Sequence, residues 1–320
     1  MTFIRILCPL LVSLAVAAPA AAQECPGPIR IVVGLSPGGG LDALARMVAQ
    51  RWTEKSGKTV IVENRAGAGG NIAASYVAKA QADGCTILTT GNNHTINPAI
   101  YAKAGYELKD FASIIRAVEG TAVLTVHPSQ PFKDLASLVE YAKANPKKLS
   151  YSSSGVGFPN HVAMELFLKA ARIDIVHVPY KGSAPALADA VAGVVPVAIS
   201  SGASALTHIQ SGRLRALAVS APVRWPTMPG VPSMAEAGYR EAGSVTWLGF
   251  FAPAATPAPV VAKLNQDFRA IFEEGPIRDK LRLQGYETIS ATSQQDFDTF
   301  LREEERVTRK LVQDLQLKVE

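Results

Sequence analysis

Cysteine is scarce in this 320-residue chain, with only Cys8, Cys25 and Cys85. Three scattered thiols form no paired Cys motif of the kind that holds zinc or runs dithiol chemistry. The five histidines, His94, His127, His161, His177 and His208, show no metal-ligand spacing either, so no metal is expected. Charge is thin at 18% of residues. The 32 Lys and Arg against 27 Asp and Glu leave a formal net +5, without the dense basic block that would mark a nucleic-acid surface. No glycine run is followed by Gly-Lys-Ser/Thr, which excludes a P-loop. Past the first residues, no apolar run approaches the ~20 residues of a membrane-spanning helix.

What is present begins with an address. Arg5 precedes an apolar stretch from Ile6 to Ala18, and Ala20-Ala21-Ala22 stands before Gln23. This pattern reads as a secretory signal peptide over residues 1–22, cut after Ala22, with an apolar core too short for an anchor. Export to the periplasm is expected, an oxidising compartment in which Cys25 and Cys85 remain after cleavage. Each opens a predicted strand. If those strands are parallel neighbours a disulfide is geometrically possible; otherwise the two are unpaired thiols.

Up to about residue 120, β-branched runs alternate with helical stretches: Ile29 to Val33, Asp42 to Lys55, Thr59 to Val62, Asn71 to Ala80, and Thr86 to Thr89. This order argues for an α/β fold with a parallel sheet covered by helices. The same grammar restarts at Ala122. A helix opened by Pro131, the strand "LSYSSSG", a helix from Asn160 or His161, the strand "DIVHVPY", a helix stopped by Gly193 and the strand "VPVAIS" follow in turn. "RLRALAVS" and "WLGFFAP" are the last strong strands, and the chain from Pro257 is helical. Two lobes are therefore expected, one from 23–121 plus 254–320 and one from 122–253. Two crossings between lobes create a cleft, and α/β folds bind ligands where strands end.

Two loops lie at such strand ends. Ser36-Pro37-Gly38-Gly39-Gly40 leads into a helix carrying Asp42, and glycine lets a backbone come close to an anion at a helix N-terminus. Three readings compete. The run is an anion seat, a structural turn with Asp42 as cap, or the G-x-G-x-x-A of a dinucleotide site through Gly38, Gly40 and Ala43, with Glu63 ending the next strand. Against the last, Ser36-Pro37 separates the strand from the first glycine, and Asp42 places a carboxylate where pyrophosphate would lie. The second loop, Ser152-Ser153-Ser154-Gly155-Val156-Gly157, offers hydroxyls and backbone N–H groups; it lacks a G-x-S-x-G elbow, which disfavours a serine hydrolase. Asn93 and His94 at a strand end, His161 at a helix start, and Tyr180 and Lys181 are further cleft candidates, each with a plainer reading as turn, core or solvated residue. Trp247 is either cleft wall or core.

Taken together, "IRIVVGLSPGGGLDALAR", "VIVENRAGAGGNIAASYVAKAQADGCTILTTG", "HVPYKGSAPALADAVAG", "LRALAVSAPVRWPTMPGVPSMAEAG" and "WLGFFAPAATPAPVVAKLN" resemble the periplasmic solute receptors of tripartite tricarboxylate transporters, the Bug-type binding proteins. The resemblance runs over nearly the whole mature chain. It implies a two-lobed periplasmic-binding-protein fold, type II-like, that closes on a small organic acid and delivers it to membrane transporter subunits, with no catalysis and no cofactor, as a monomer. It further implies that a ligand carboxylate is held by the loops Ser36 to Asp42 and Ser152 to Gly157, often through waters. Two positions depart from the family pattern. Leu35 and Ser36 stand where an aromatic residue or proline is frequent, and no aspartate lies near Ser200. A cleft without that acid suits an aliphatic dicarboxylate or an aromatic acid rather than a ligand with an ammonium group. A receptor that feeds a signalling partner would use the same closed state.

Overall fold

The computed structural model describes residue 25, residues 27–289 and residues 293–315. The expected signal peptide lies outside the described residues. The first sheet has six strands in the order β11-β4-β10-β3-β1-β2. Its strands are β1 (Ile29–Val33), β2 (Val60–Asn64), β3 (Thr86–Gly91), β4 (Phe111–Gly120), β10 (Thr246–Pro253) and β11 (Glu287–Thr288). β1 pairs in parallel with β2 and β3, and β10 runs antiparallel between β3 and β4. The second sheet, β7-β6-β8-β5-β9, is built from β5 (Ala122–Val126), β6 (Ser150–Ser153), β7 (Val176–Pro179), β8 (Val197–Ser201) and β9 (Arg215–Val219).

Helices cover both sheets. In the first lobe these are α1 (Gly40–Ser56), α2 (Asn71–Ala78), α3 (Asn93–Ile100), α8 (Ala258–Phe272), α9 (Gly275–Leu283) and α10 (Gln294–Leu315). In the second they are α4 (Leu135–Ala144), α5 (Pro159–Ala171), α6 (Ser183–Val191) and α7 (Gly202–Gln210). α1 shows why the local sequence folds as it does. Leu41, Leu44, Ala45, Val48 and Trp52 recur at helical spacing and are buried, Trp52 meets Phe268 of α8 edge to face at 5.0 Å, and the left-handed Gly57 ends the helix by donating its N–H to Thr53 O. The run Ile29–Val33 is central in its sheet, so its β-branched residues are buried on both faces.

Several expectations shift. α4 is opened not by Pro131 but by Asp134, whose carboxylate accepts from Ser137 N at 2.8 Å; a side chain that satisfies a free N–H sets the start better than a proline upstream of it. β4 is a strand of ten residues that continues into β5 with only Thr121 between them, so the first crossing is a single residue. The second falls between β9 and β10, upstream of the expected boundary at 254, because β10 fills the gap between β3 and β4. The tail is not wholly helical, since β11 joins the edge of the first sheet.

Cys25 and Cys85 form a disulfide across the starts of the neighbouring strands β1 and β3. The crossings are bonded side by side: Ala221 N donates to Thr121 Oγ1 (3.0 Å), Ala122 N to Ser220 Oγ (3.1 Å), and Ser220 Oγ to Ser244 O (3.0 Å). α10 adds a strap. It packs on α3 and β4, and its far end reaches the second lobe, where Val312 clusters with Val162 and Lys169 Nζ donates to Asp314 O at 2.7 Å.

Candidate ligand-binding site

Where the lobes face each other lies a partly open cavity of about 60 Å³. A water needs roughly 10–15 Å³ by this measure, so the space suits a small molecule and excludes a dinucleotide. Leu35, Gly40, Leu41, Asn93, Thr246, Leu248 and Tyr286 line it from the first lobe. The second lobe contributes Ser154, Phe158, Pro159, Asn160, Ser183 and Ser201.

The topology explains this set. Five helices begin at the cavity: α1 at Gly40 and Leu41, α3 at Asn93, α5 at Pro159 and Asn160, α6 at Ser183, and α7 beside its N-cap Ser201. Each directs about half a positive charge at its N-terminus. Among the described lining residues none is Asp, Glu, Lys, Arg or His; Asp42 offsets the end of α1, and the first turns of α3, α5, α6 and α7 carry no acid. Leu35, Leu41, Phe158 and Leu248 supply an apolar wall. Ser154, Asn160 and Ser183 are linked, with the two serine hydroxyls 2.7 Å apart and Asn160 Nδ2 donating to Ser154 Oγ (3.1 Å) and Ile199 O (2.6 Å). Asn93 is held by Thr90 Oγ1 and Gly91 N, which both donate to its Oδ1, and by its own amide, which donates to Gly69 O.

The glycine loop does something else. Ser36 N donates to Lys181 O at 3.0 Å, and Gly40 N donates to Ser204 Oγ at 2.9 Å, so the loop closes onto the second lobe. A Cβ on Gly40 would stand 2.5 Å from Tyr286 Oη and 3.1 Å from Ser201 Oγ, so any larger residue at this junction must displace the tyrosine hydroxyl. Gly38, with φ 86°, turns its N–H back onto Asp42 Oδ2 at 3.0 Å. Asp42 also accepts from Arg46 Nε (2.9 Å) and Asn64 Nδ2 (2.9 Å). Burial, the strongest single influence on its carboxyl, raises the pKa; the bonds from Arg46, Gly38 N–H and Asn64 outweigh it and hold the group below its ordinary range. These contacts remove the dinucleotide reading, because Gly38 N–H and Gly40 N–H are spent on Asp42 and Ser204. Ser36, Pro37, Gly38, Gly39 and Asp42 are absent from the cavity wall, and of the predicted run only Gly40 reaches it.

The second loop divides similarly. Ser154 lines the cavity, while Ser152 Oγ turns away to Ala186 O (3.2 Å) and Ser153 Oγ bonds His177 Nε2 (2.6 Å) and accepts from Gly155 N (3.1 Å). Gly157 N points to His161 Nδ1 at 3.4 Å. His161 stacks on His177 (centroids 4.3 Å apart) as a support beneath the loop rather than a cavity residue, and burial pushes its pKa down to about 3 and that of His177 to about 4. Tyr180 is bonded to Asp189 and Lys181 is exposed, giving the lobe contact only its carbonyl.

Three more candidates belong to the core. His94 is packed against Tyr106, Phe111 and Phe251, and burial pulls its pKa to about 3. Trp247 sits against Phe297 and Phe300 with its Nε1 donating to Glu304 Oε1 at 3.1 Å. Ser200 is fully buried in β8, and the next residue, Ser201, is the one that meets the cavity. Sequence reading missed Asn160, Ser183 and Ser201, for which the available signal was the first polar residue of each helix that follows a strand. For Tyr286 there was no signal, since it arrives from the distant tail.

Fold and site together define a two-lobed solute-binding protein of the periplasmic type rather than an enzyme. Residues 44–317 match the family described as tripartite tricarboxylate transporter family receptor, and the chain belongs to that family. It is 37% identical to a protein of the tcbD-tcbE intergenic region of Pseudomonas sp. (strain P51), over 89% of this chain and 86% of that one. It is 33% identical to BugT of Bordetella pertussis, over 88% and 87%. Among solved structures it superposes on an R. palustris protein with adipate (TM-score 0.88, 34% identity, 92% and 99% covered) and on MatC of Rhodopseudomonas palustris with malate (TM-score 0.85, 27% identity, 90% and 99% covered). The expected family, the α/β two-lobed fold and the receptor class hold.

Proposed function

We propose that this receptor encloses one small organic acid, seats its carboxylate among the N-termini of α1, α5, α6 and α7, and rests its carbon skeleton on Leu35, Leu41, Phe158 and Leu248. The observation that carries this is the convergence of helix N-termini on a cavity whose lining has no charged side chain. Exposed N–H groups and the helix dipole favour an anion there without a counter-ion. A ligand ammonium would find no carboxylate, which favours an aliphatic dicarboxylate or an aromatic acid over a basic amino acid. Adipate and malate in structural relatives fit the same chemistry. Ser154, Asn160, Ser183 and Ser201 are the direct or water-bridged donors. Asn93 and Gly40 complete the seat, while Ser36 to Gly39, Asp42, Ser152, Ser153, Gly155, Gly157, His161, Tyr180 and Lys181 shape and support the two loops. The receptor works in the periplasm as a monomer, exported by the leader at 1–22, and hands the acid to the membrane subunits of a tripartite transporter. Closure follows because the ligand touches both lobes at once and so stabilises the closed state.

The test is a thermal-shift screen of the mature protein with adipate, malate, benzoate, arginine and NAD. A binding acid at a hundredfold excess over its dissociation constant adds about 2.7 kcal/mol of apparent stability. We expect a selective shift with an acid and none with arginine or NAD. A shift with arginine larger than with any acid refutes the reading.

A further inference from the structure

The turn at residues 284–286, between α9 and β11, reaches out of the first lobe. Gly285 is left-handed (φ 84°), and a Cβ there would lie 3.4 Å from Ala203 N and 3.5 Å from Gly202 C, so the turn rests on the first residues of α7. Gly285 O accepts a hydrogen bond from Trp225 Nε1 at 3.0 Å. That indole is buried in the second lobe with Ala221 and Met228, whereas Trp52 and Trp247 lie in first-lobe clusters. Of the three tryptophans, Trp225 is therefore the one bonded across the cleft.

Tyr286, the next residue, is 3% exposed and lines the cavity. Its hydroxyl has no hydrogen-bond partner among the described residues, while its backbone N donates to Leu281 O at 3.0 Å. The two neighbours of the missing Gly40 side chain, Tyr286 Oη and Ser201 Oγ, fix where that hydroxyl stands: between the N-terminus of α1 in one lobe and that of α7 in the other. The ring is buried while the hydroxyl opens on the cavity, where an acid oxygen at this junction would accept from it.

We propose that Tyr286 is a ligand-contacting, specificity-determining residue whose hydroxyl donates to an acid oxygen between α1 and α7, and that the bond from Trp225 to Gly285 is the latch that brings it there as the lobes close. This rests on the receptor reading above. The latch couples occupancy to closure, because the tyrosine meets both the ligand and the helix that carries Ser201 only while the turn is seated on the second lobe.

The experiment is isothermal titration of wild type, Tyr286→Phe and Trp225→Phe with adipate, malate and benzoate, with tryptophan emission and ligand-free melts recorded in parallel. Tyr286→Phe keeps the ring and loses no internal bond, so its ligand-free melting temperature should equal or exceed that of wild type. Its affinity for the tightest acid should fall about tenfold, the loss of one hydrogen bond to a charged group. Trp225→Phe should bind every acid several-fold more weakly and lose most of the ligand-induced change in emission. Wild-type-like affinity in Tyr286→Phe, within twofold, overturns its assignment, as does a ligand-free melt well below wild type, which would mark a structural role. An emission change that survives in Trp225→Phe overturns the latch. Silence of the wild type toward all three acids defeats the reading of the cavity as a seat for an aliphatic or aromatic acid, and this proposal with it.

Discussion

At Asp42 a charged side chain in a candidate loop proves to be its framework. Three donors, Gly38 N, Arg46 Nε and Asn64 Nδ2, fill its oxygens and turn the glycine run toward the second lobe. Asp42→Ala should cost about 1–3 kcal/mol in denaturant melts, since it strands these donors. A loss below about 0.5 kcal/mol would mean that solvent replaces the carboxylate and that the loop holds its own shape. Single-residue offsets recur elsewhere. Ser201 rather than Ser200, and Asn93 rather than His94, face the cavity, because strand and helix periodicity send adjacent side chains in different directions. Residue type pointed to the right neighbourhood in both cases, and backbone geometry chose the member.

Among elements, the disulfide ties the start of β1 to that of its neighbour β3. It closes a sequence separation of 60 residues, for which the loop-entropy account gives about 4 kcal/mol. Replacing both Cys25 and Cys85 by serine should lower unfolding free energy by about 2–4 kcal/mol without abolishing ligand binding, because the bond joins strand starts and the cavity lies at strand ends. Equal denaturation midpoints for the reduced and oxidised wild type would contradict this. The helices give the site its sign: those that begin at the cavity follow β1, β3, β6, β7 and β8, and the rule that ligands sit beyond strand ends made their first turns the place to look.

Across the whole molecule, neutral histidines sit in both lobes, buried His94 in the first and buried His161 stacked on half-buried His177 in the second. Their pKa values fall from 6.5 to about 3, 3 and 4, with burial as the main cause. The unfolded chain therefore binds protons that the folded one refuses, so stability is full above pH 6.5 and declines as pH falls toward 4. By pH 5 the loss should reach about 1–2 kcal/mol per histidine. Melts between pH 4 and 8 check this, and a flat profile from 5 to 7 would require at least one of these rings to be protonated inside the fold. The lobes are joined by Thr121, by the return to β10 and by α10, so closure must bend the bonded crossings and keep the strap.

The sequence by itself determined the α/β alternation, the two lobes, the family, the cysteine pair as candidates and the two loops that face each other, because periodicity, glycine punctuation and long motifs are local signals. Only the tertiary structure decided which residues meet. β10 enters the first sheet between β3 and β4, the glycine loop spends its N–H groups on Asp42 and Ser204, and Tyr286 arrives at the cavity from a turn far along the chain. Such contacts depend on how separate elements pack, and no stretch of neighbouring residues encodes them alone.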